Sequence, residues 1–169
     1  NGIPTAPFKL YENANALKEA DISYPIIQKM RTGGYDGKGV QLLKQSSHSF
    51  DAPNLCESLI DFDKELSIIV ARNENGDVQC FPSVECEFNP EANLVEYLFS
   101  PANISEEISQ KANSIAKDLI EKLDMIGLLA VEFFLCKNGD LLVNEIAPRP
   151  HNSGHHTIEC CNTSQYAQH

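Results

Sequence analysis

Positive charge is scarce in this sequence. Thirteen Lys and Arg stand against 24 Asp and Glu, a formal net charge of −11. Nucleic acids and anionic membranes draw basic patches, so neither is expected as the main partner. A locally held anion stays open, because a few lysines, arginines, backbone amides or a metal can bind one. No apolar run approaches the ~20 residues needed to span a bilayer. None of the six cysteines (Cys56, Cys80, Cys86, Cys136, Cys160 and Cys161) forms a C-x-x-C pair, and most lie in apolar runs. Buried, reduced thiols of a cytoplasmic protein are therefore expected. Internal repeats and low-complexity tracts are missing too. The chain opens on NGIPTAPF, with neither a secretory pattern nor an initiator Met, and stops within a helix-like SQYAQH. A piece of a longer protein is expected.

What is present suits one domain, or two small cores sharing a cleft: 169 residues with 42% hydrophobic content. Residues 1–12 read as a loop entering a short strand, and 13–21 as helical. Residues 24–30 and 40–44 read as strands around the glycine-rich RTGGYDGKG, and 46–54 as a polar loop. LCESLI and ELSIIVAR read as strands joined by a short DFDK link. NENGD is a hairpin turn, and VQCFPSVECEF and LVEYLF continue as strands with NPEAN turning between them. The period then changes. From Ser105, an N-cap with Glu106 and Glu107 in the first turn, apolar residues recur at Ile108, Ala112, Ile115, Leu119, Leu123 and Ile126. GLLAVEFFLC and LLVNEIA are strands joined by KNGD, and His155 and His156 are expected to begin a helix. The class is α+β, mostly antiparallel, with one long covering helix.

The last hairpin is the most informative stretch. Asn138-Gly139 signals a type I′ turn. A two-residue or a four-residue loop pairs Glu132 directly with Glu145. Alternation then places both acids on one face with Ala130, Phe134, Val143 and Ala147, and puts Leu129, Val131, Phe133, Leu135, Leu142 and Ile146 on the other. Like charges placed opposite each other destabilise a strand pair, and burial adds to the cost. A shared proton, a bridging Arg or Lys, or a divalent metal would each resolve the conflict. Paired carboxylates with little nitrogen or sulfur nearby suit Mg²⁺, which completes its shell with substrate phosphates.

TGGYDGKG is neither a Walker A loop nor a G-x-G-x-x-G fingerprint, and a strand, not a helix, follows it. It reads as a hairpin lid. Its glycines permit positive φ and close approach of backbone to phosphate oxygens, with Lys29 and Lys38 supplying charge. A merely mobile hairpin is the other reading of the turn alone. Together with a metal-binding carboxylate pair, a phosphate cradle points to ATP.

PIIQKMRTGGYDGKG, CESLIDFDKELSIIVAR and VNEIAPRPHNSGHHTIE, in that order, resemble the ATP-grasp domain of the 5-(carboxyamino)imidazole ribonucleotide synthases, the ATPase subunits of phosphoribosylaminoimidazole carboxylase. The likeness runs through essentially all 169 residues. It implies an ATP-grasp fold: antiparallel sheets, covering helices, and a nucleotide cleft between a small lobe (about 1–60) and a large lobe (about 61–169). It implies a ligase of purine biosynthesis that carboxylates 5-aminoimidazole ribonucleotide with ATP and bicarbonate through carboxyphosphate, and that is a homodimer. It also implies flanking N- and C-terminal domains that this chain lacks, so the isolated piece is expected to be inactive.

The same resemblance implies roles by position. Lys29 contacts ATP phosphates, and the lid from Gly34 through Gly37 to Gly39 covers them. Glu57, Ser58, Leu59 and Ile60 form the hinge at the adenine, and Glu65 holds the ribose hydroxyls. Glu132 and Glu145 bind Mg²⁺, or Mn²⁺, with Asn144 beside them at the nucleotide. Arg149, His151, Asn152 and Ser153 mark the end where carboxyphosphate and the imidazole meet, with Tyr35, Asp36 and Lys38 closing over it. Two positions depart from common patterns. Cys86 and Phe88 stand where many members have Asn and His. Ala147 stands where many ATP-grasp enzymes place a third metal ligand, as it does in this family. Another ATP-grasp carboxylate–amine ligase, or a non-catalytic adenine-nucleotide-binding module, stay open as alternatives.

Overall fold

The computed structural model describes residues 2–34, 38–89 and 94–169, without the side chains of residues 88, 89 and 94. Residues 90–93 of the expected NPEAN turn and the lid residues Tyr35, Asp36 and Gly37 lie outside the described residues. The chain divides into two compact units, Ala6–Ile60 and Asp61–His169 together with Asn1–Thr5.

The smaller unit is a four-stranded antiparallel sheet in the order β1 (Phe8–Tyr11), β4 (Asn54–Ser58), β2 (Ile26–Met30), β3 (Val40–Leu43). Helix α1 (Ala14–Lys18) is capped by Asn13, whose side chain accepts from the Ala16 amide at 2.9 Å. One face of the sheet is packed: Ile26, Leu43 and Cys56 form a core with Leu17 of α1. Buried Gln28 ties β2 to its surroundings, its Oε1 accepting from Gln41 Nε2 at 2.7 Å and from the Phe50 amide at 3.0 Å. The other face is open.

The larger unit holds β5 (Phe62–Arg72), β6 (Val78–Cys80), β7 (Val84–Asn89), β8 (Leu94–Phe99), β9 (Gly127–Cys136) and β10 (Leu141–Ala147). The order is β10-β9-β5-β7-β8, with β6 also on β5, and every pair is antiparallel. Two elements differ from the sequence expectation. DFDK is no link: β5 begins at Phe62 and absorbs Asp63 as an irregularity in its pairing with β9. Residues 78–88 are not one strand, because Phe81-Pro82-Ser83 interrupts them, as a proline that cannot donate to a ladder would.

Helix α2 (Glu106–Lys122) starts where Ser105 accepts from the Ile108 amide at 3.3 Å. Its Ala112, Ala116, Leu119 and Ile120 pack on Leu66, Ile68, Val70, Leu129, Val131, Phe133, Leu135 and Leu141. The apolar stripe stops short of its expected end: Leu123 is the C-cap, Ile126 lies beyond the helix, and both are half exposed. Two short helices close the chain, α3 (Thr157–Cys160) and α4 (Gln165–Gln168), after a single 3-10 turn at Asn152–Gly154. His156 caps α3, so the histidines stand just before that helix and not within it.

Among the described residues no helix is long and apolar enough to cross a membrane. All six cysteines are free; Cys56 and Cys86 are buried, whereas Cys160 is exposed, against the general expectation of buried thiols.

Candidate functional site

In the larger unit the acids expected at the site lie on the side of the sheet away from α2. Half of that side is apolar: Ile69, Ala71, Leu128, Ala130 and Ala147 form a second core. The segment after β10 packs there, tightly enough that a Cβ on Gly154 would lie 2.2 Å from Ile69 Cδ1. The rest of this side holds the acids. Glu132 of β9 is the direct partner of Glu145 of β10 and of Ser67 of β5; Glu65 of β5 is the partner of Phe134 and of Cys86. Partners across a ladder share a face, so Glu65, Glu132 and Glu145 lie on one side. The Cys86 thiol reports the same cluster. Burial first, then the negative charges of Glu132, Glu65 and Glu85, push it up to about 12. Phe62 and Phe134 stack beside Glu65 with ring centroids 4.6 Å apart.

The two acids meet by a route that the turn signal did not show. The tip is a three-residue loop, with Gly139 N–H donating to the Cys136 carbonyl at 2.9 Å, Cys136 N–H to the Asp140 carbonyl at 2.8 Å, and Gly139 at φ +84°. This is a type I turn closed by a left-handed glycine, not a type I′ turn. It pairs Leu141 with Leu135, Leu142 with Phe134 and Val143 with Phe133; an extra residue at Asn144 then shifts the register so that Glu145 meets Glu132. The faces of two residues change in consequence. Val143 packs with the α2 core, and Leu142 stands with Phe134, the reverse of the expected assignment. The edge of β10 at the bulge is covered by the start of the chain: the Val143 amide donates to the Pro4 carbonyl at 2.8 Å, and Thr5 Oγ1 donates to the Val143 carbonyl at 2.9 Å.

Beyond β10 the chain turns back beside the acids. His151 Nδ1 lies 3.7 Å from Glu132 Oε1 and 3.0 Å from Ser153 Oγ. Ser153 Oγ in turn lies 2.8 Å from Ser67 Oγ, and both serines are buried. A hydrogen-bonded series thus runs from the interior of β5 through Ser153 to the imidazole beside Glu132. Arg149 and Asn152 are exposed, and Arg149 Nη1 donates to the Pro150 carbonyl at 3.1 Å.

Sequence reasoning missed three participants. Ser67 lies mid-strand, Phe62 lies in the segment read as a link, and Gln165 lies in the closing helix. None carries a local signal; only the fold brings them to the acids or to His151.

The smaller unit holds the remaining candidates. β2 and β3 pair around the glycine turn, as expected for a hairpin, and the Met30 amide donates to the Gly39 carbonyl at 2.8 Å. Two glycines are required sterically. A Cβ on Gly34 would lie 2.8 Å from the Lys38 carbonyl oxygen, and Gly39 has φ +83° with Gly34 Cα 3.2 Å from where its Cβ would be. The open face of this sheet carries Phe8, Leu10, Val40 and Leu42, each exposed by about half, with Ile27 and Leu55 among them. In the middle of this apolar surface Lys29 Nζ meets Glu57 Oε2 at 2.9 Å. Ser58, exposed, ends β4, and Leu59 and Ile60 follow, Leu59 exposed. Lys38 is exposed beside the turn.

Among the described residues no three His, Cys, Asp or Glu side chains converge on one point. What exists is a pair of hard carboxylates in register. That composition suits a magnesium-type ion, which takes one or two carboxylates and fills its octahedron with water and phosphate oxygens; it does not suit zinc, which wants three or four protein ligands.

Comparison with known proteins agrees with the two-sheet arrangement. The ATP-grasp domain matches residues 1–166. The chain is 41% identical, over 177 aligned positions, to the N5-carboxyaminoimidazole ribonucleotide synthase of Bacillus subtilis (strain 168), covering 99% of this chain and 46% of that protein. Among solved structures, an N5-carboxyaminoimidazole ribonucleotide synthetase in complex with ADP aligns with TM-score 0.89 and 40% identity, covering 99% of this chain and 46% of that one. The Aspergillus clavatus N5-carboxyaminoimidazole synthase, in complex with ADP and 5-aminoimidazole ribonucleotide, aligns with TM-score 0.86 and 28% identity, over 99% and 46%. The chain therefore spans a little under half the length of the curated synthases it matches and a third or less of the curated carboxylases. With an open face on each sheet, a glycine hairpin on one and opposed acids on the other, and with that family's domain matched almost end to end, the chain belongs to the ATP-grasp family.

Proposed function

We propose that this chain is the ATP-binding domain of a cytoplasmic ligase that carboxylates 5-aminoimidazole ribonucleotide with ATP and bicarbonate, in purine biosynthesis, and that the complete protein is a homodimer. The observation that carries the reading is the Glu132–Glu145 pair, from which APRPHNSGH runs on directly to bring His151 beside Glu132. In the proposed reaction a bicarbonate oxygen attacks the γ-phosphorus of ATP, and the bond to the β-phosphate oxygen breaks, giving carboxyphosphate and ADP. The exocyclic amine of the imidazole then forms a bond to the carboxyl carbon, directly or after release of CO₂. Phosphate leaves, and the nitrogen gives up a proton.

The protein's share is positioning and charge neutralisation, as in other phosphoryl transfers. Lys29 would hold ATP phosphates, with Lys38 and the glycines Gly34, Gly37 and Gly39 of the lid above them. Glu57, Ser58, Leu59 and Ile60 would read the adenine edge, and Glu65 would accept from the ribose hydroxyls. Glu132 and Glu145 would hold Mg²⁺, or Mn²⁺, with Asn144 alongside. The ion, when bound, supplies positive charge to the phosphate oxygens. Arg149 would grip carboxyphosphate through its fork of N–H donors, and His151 and Asn152 would orient bicarbonate, with Tyr35 and Asp36 closing over that end.

The test is ADP release by the complete protein with bicarbonate and 5-aminoimidazole ribonucleotide added singly and together. The reading expects release to require bicarbonate and to rise with the imidazole. ATP binding without such a response would mark a binding module, and a response to a different acid and amine would mark another ligase; either overturns the proposal.

A further inference from the structure

The segment that carries Arg149, His151 and Asn152 leaves the sheet and contains two prolines, Pro148 and Pro150, which cannot donate backbone hydrogen bonds. Two backbone bonds brace it, from the Arg149 amide to the Ala147 carbonyl at 2.9 Å and from the Gly154 amide to the His151 carbonyl at 3.0 Å, and one buried side chain ties it to the closing helix. Gln165 is fully buried (0% exposed). Its Oε1 accepts from the His151 amide at 2.9 Å, and its Nε2 donates to the His151 carbonyl at 2.7 Å. The carboxamide therefore occupies both backbone groups of a single residue, as a neighbouring strand would. Gln165 is held in turn: its own amide donates to Thr157 Oγ1 at 2.9 Å, and Thr157 Oγ1 donates to the Gly154 carbonyl. Gly154 leaves the space for it, since a Cβ there would lie 2.5 Å from Gln165 Oε1. The imidazole of His151 is fixed separately, by Ser153 backed by Ser67.

We infer that Gln165 is a positioning residue for the reaction: its carboxamide clamps the backbone of His151, and so sets where the imidazole and its neighbours Arg149 and Asn152 stand relative to Glu132. This rests on the function proposed above. The hydrogen bonds of Gln165 and Thr157 run to His151, Gly154 and each other, so the inference expects nucleotide binding through Glu132 and Glu145 to survive their loss. The clamp acts on the bicarbonate end alone. Displacing reacting groups by about 1 Å costs on the order of 10²-fold in rate.

The experiment uses the complete protein. Gln165→Leu keeps the volume and removes both hydrogen bonds; Gln165→Glu keeps the length and the acceptor but loses the donor to the His151 carbonyl. The expected result for each is a fall of about 10- to 100-fold in kcat for bicarbonate-dependent ADP release. The dissociation constant for Mg²⁺-ATP should stay within twofold, as measured by fluorescence or calorimetry. A merely structural role predicts lower thermal stability with kcat unchanged among the folded molecules. That outcome, equal losses in ATP affinity and kcat, or failure of both Gln165 variants to fold, would overturn the inference. The wild-type protein separates the two ideas: if its ADP release ignores bicarbonate, the proposed function has failed. If it responds and the Gln165 variants respond as strongly, only the clamp has failed.

Discussion

Replacing Glu145 by Gln should raise stability without ligand and lower it with ligand. The substitution keeps the shape and removes one of two charges that face each other across the ladder. Directly opposed like charges cost roughly 0.2–1 kcal/mol in a strand pair. Glu145 is exposed and the Glu132 side chain is 23% exposed, so salt screens part of this and the gain belongs at low ionic strength. For a protein of this size class, 1 kcal/mol moves Tm by about 2–4 °C, so the unliganded variant should melt higher by up to about 4 °C. The liganded case runs the other way. At 100 times its dissociation constant Mg²⁺-ATP stabilises by about 2.7 kcal/mol, and each tenfold loss of affinity removes about 1.4 kcal/mol. Scanning fluorimetry with and without Mg²⁺-ATP reads both signs in one plate. A lower Tm without ligand would mean that the acids are already compensated by the protein. An unchanged ligand shift would mean that Glu145 holds no metal. Either result refutes the reasoning.

Other outcomes follow from the same geometry. Lys29→Ala leaves the mostly buried Glu57 carboxylate without its partner on an open apolar face; apparent affinity for ATP should fall at least tenfold in a binding titration, with the fold retained by circular dichroism. Leu129→Ala opens a cavity under α2 at a fully buried site and should cost about 2–5 kcal/mol in urea unfolding. Gly34→Ala drives a methyl toward the Lys38 carbonyl, so a rise in KM for ATP is expected while the melting temperature stays within a few degrees. Burial pushes the Cys56 and Cys80 thiols up to about 11 and Cys86 to about 12. Iodoacetamide near pH 8 should therefore label exposed Cys160 before these three, as mass spectrometry can count. An unfolded thiol ionises near 8.5, so the unfolded chain sheds protons first. The stability these thiols contribute is full below that value and is lost as pH climbs toward 12.

Elements with a strong local period were legible. Ser105 capping a helix with acids in its first turn, and the two strands meeting at KNGD, follow from residues adjacent in sequence. The opposition of Glu132 and Glu145 was legible as well, but through a wrong intermediate. The type I′ reading of Asn138-Gly139 assigned a register that the real three-residue loop does not give, and the extra residue at Asn144 restored it. A bulge has no composition signature, so Leu142 and Val143 were placed on each other's faces. Leu123 and Ile126 kept the helical spacing after the packing surface had ended, and periodicity alone does not tell how long a partner sheet is. The Ser67–Ser153 contact and the Gln165 clamp were invisible for a different reason. They join residues 86 and 14 positions apart, and nothing about a lone Ser in a strand or Gln in a helix announces a partner at that distance.

The irregularity in β10 has one more consequence. Without Asn144, Val143 and Glu145 would be ordinary successive residues, still projecting to opposite sides, and Glu145 would still follow Val143 into line with Glu132. The sheet therefore does not need that position. A strand one residue shorter would build the same scaffold, which makes Asn144 the place where this hairpin can change its chemistry without touching its architecture.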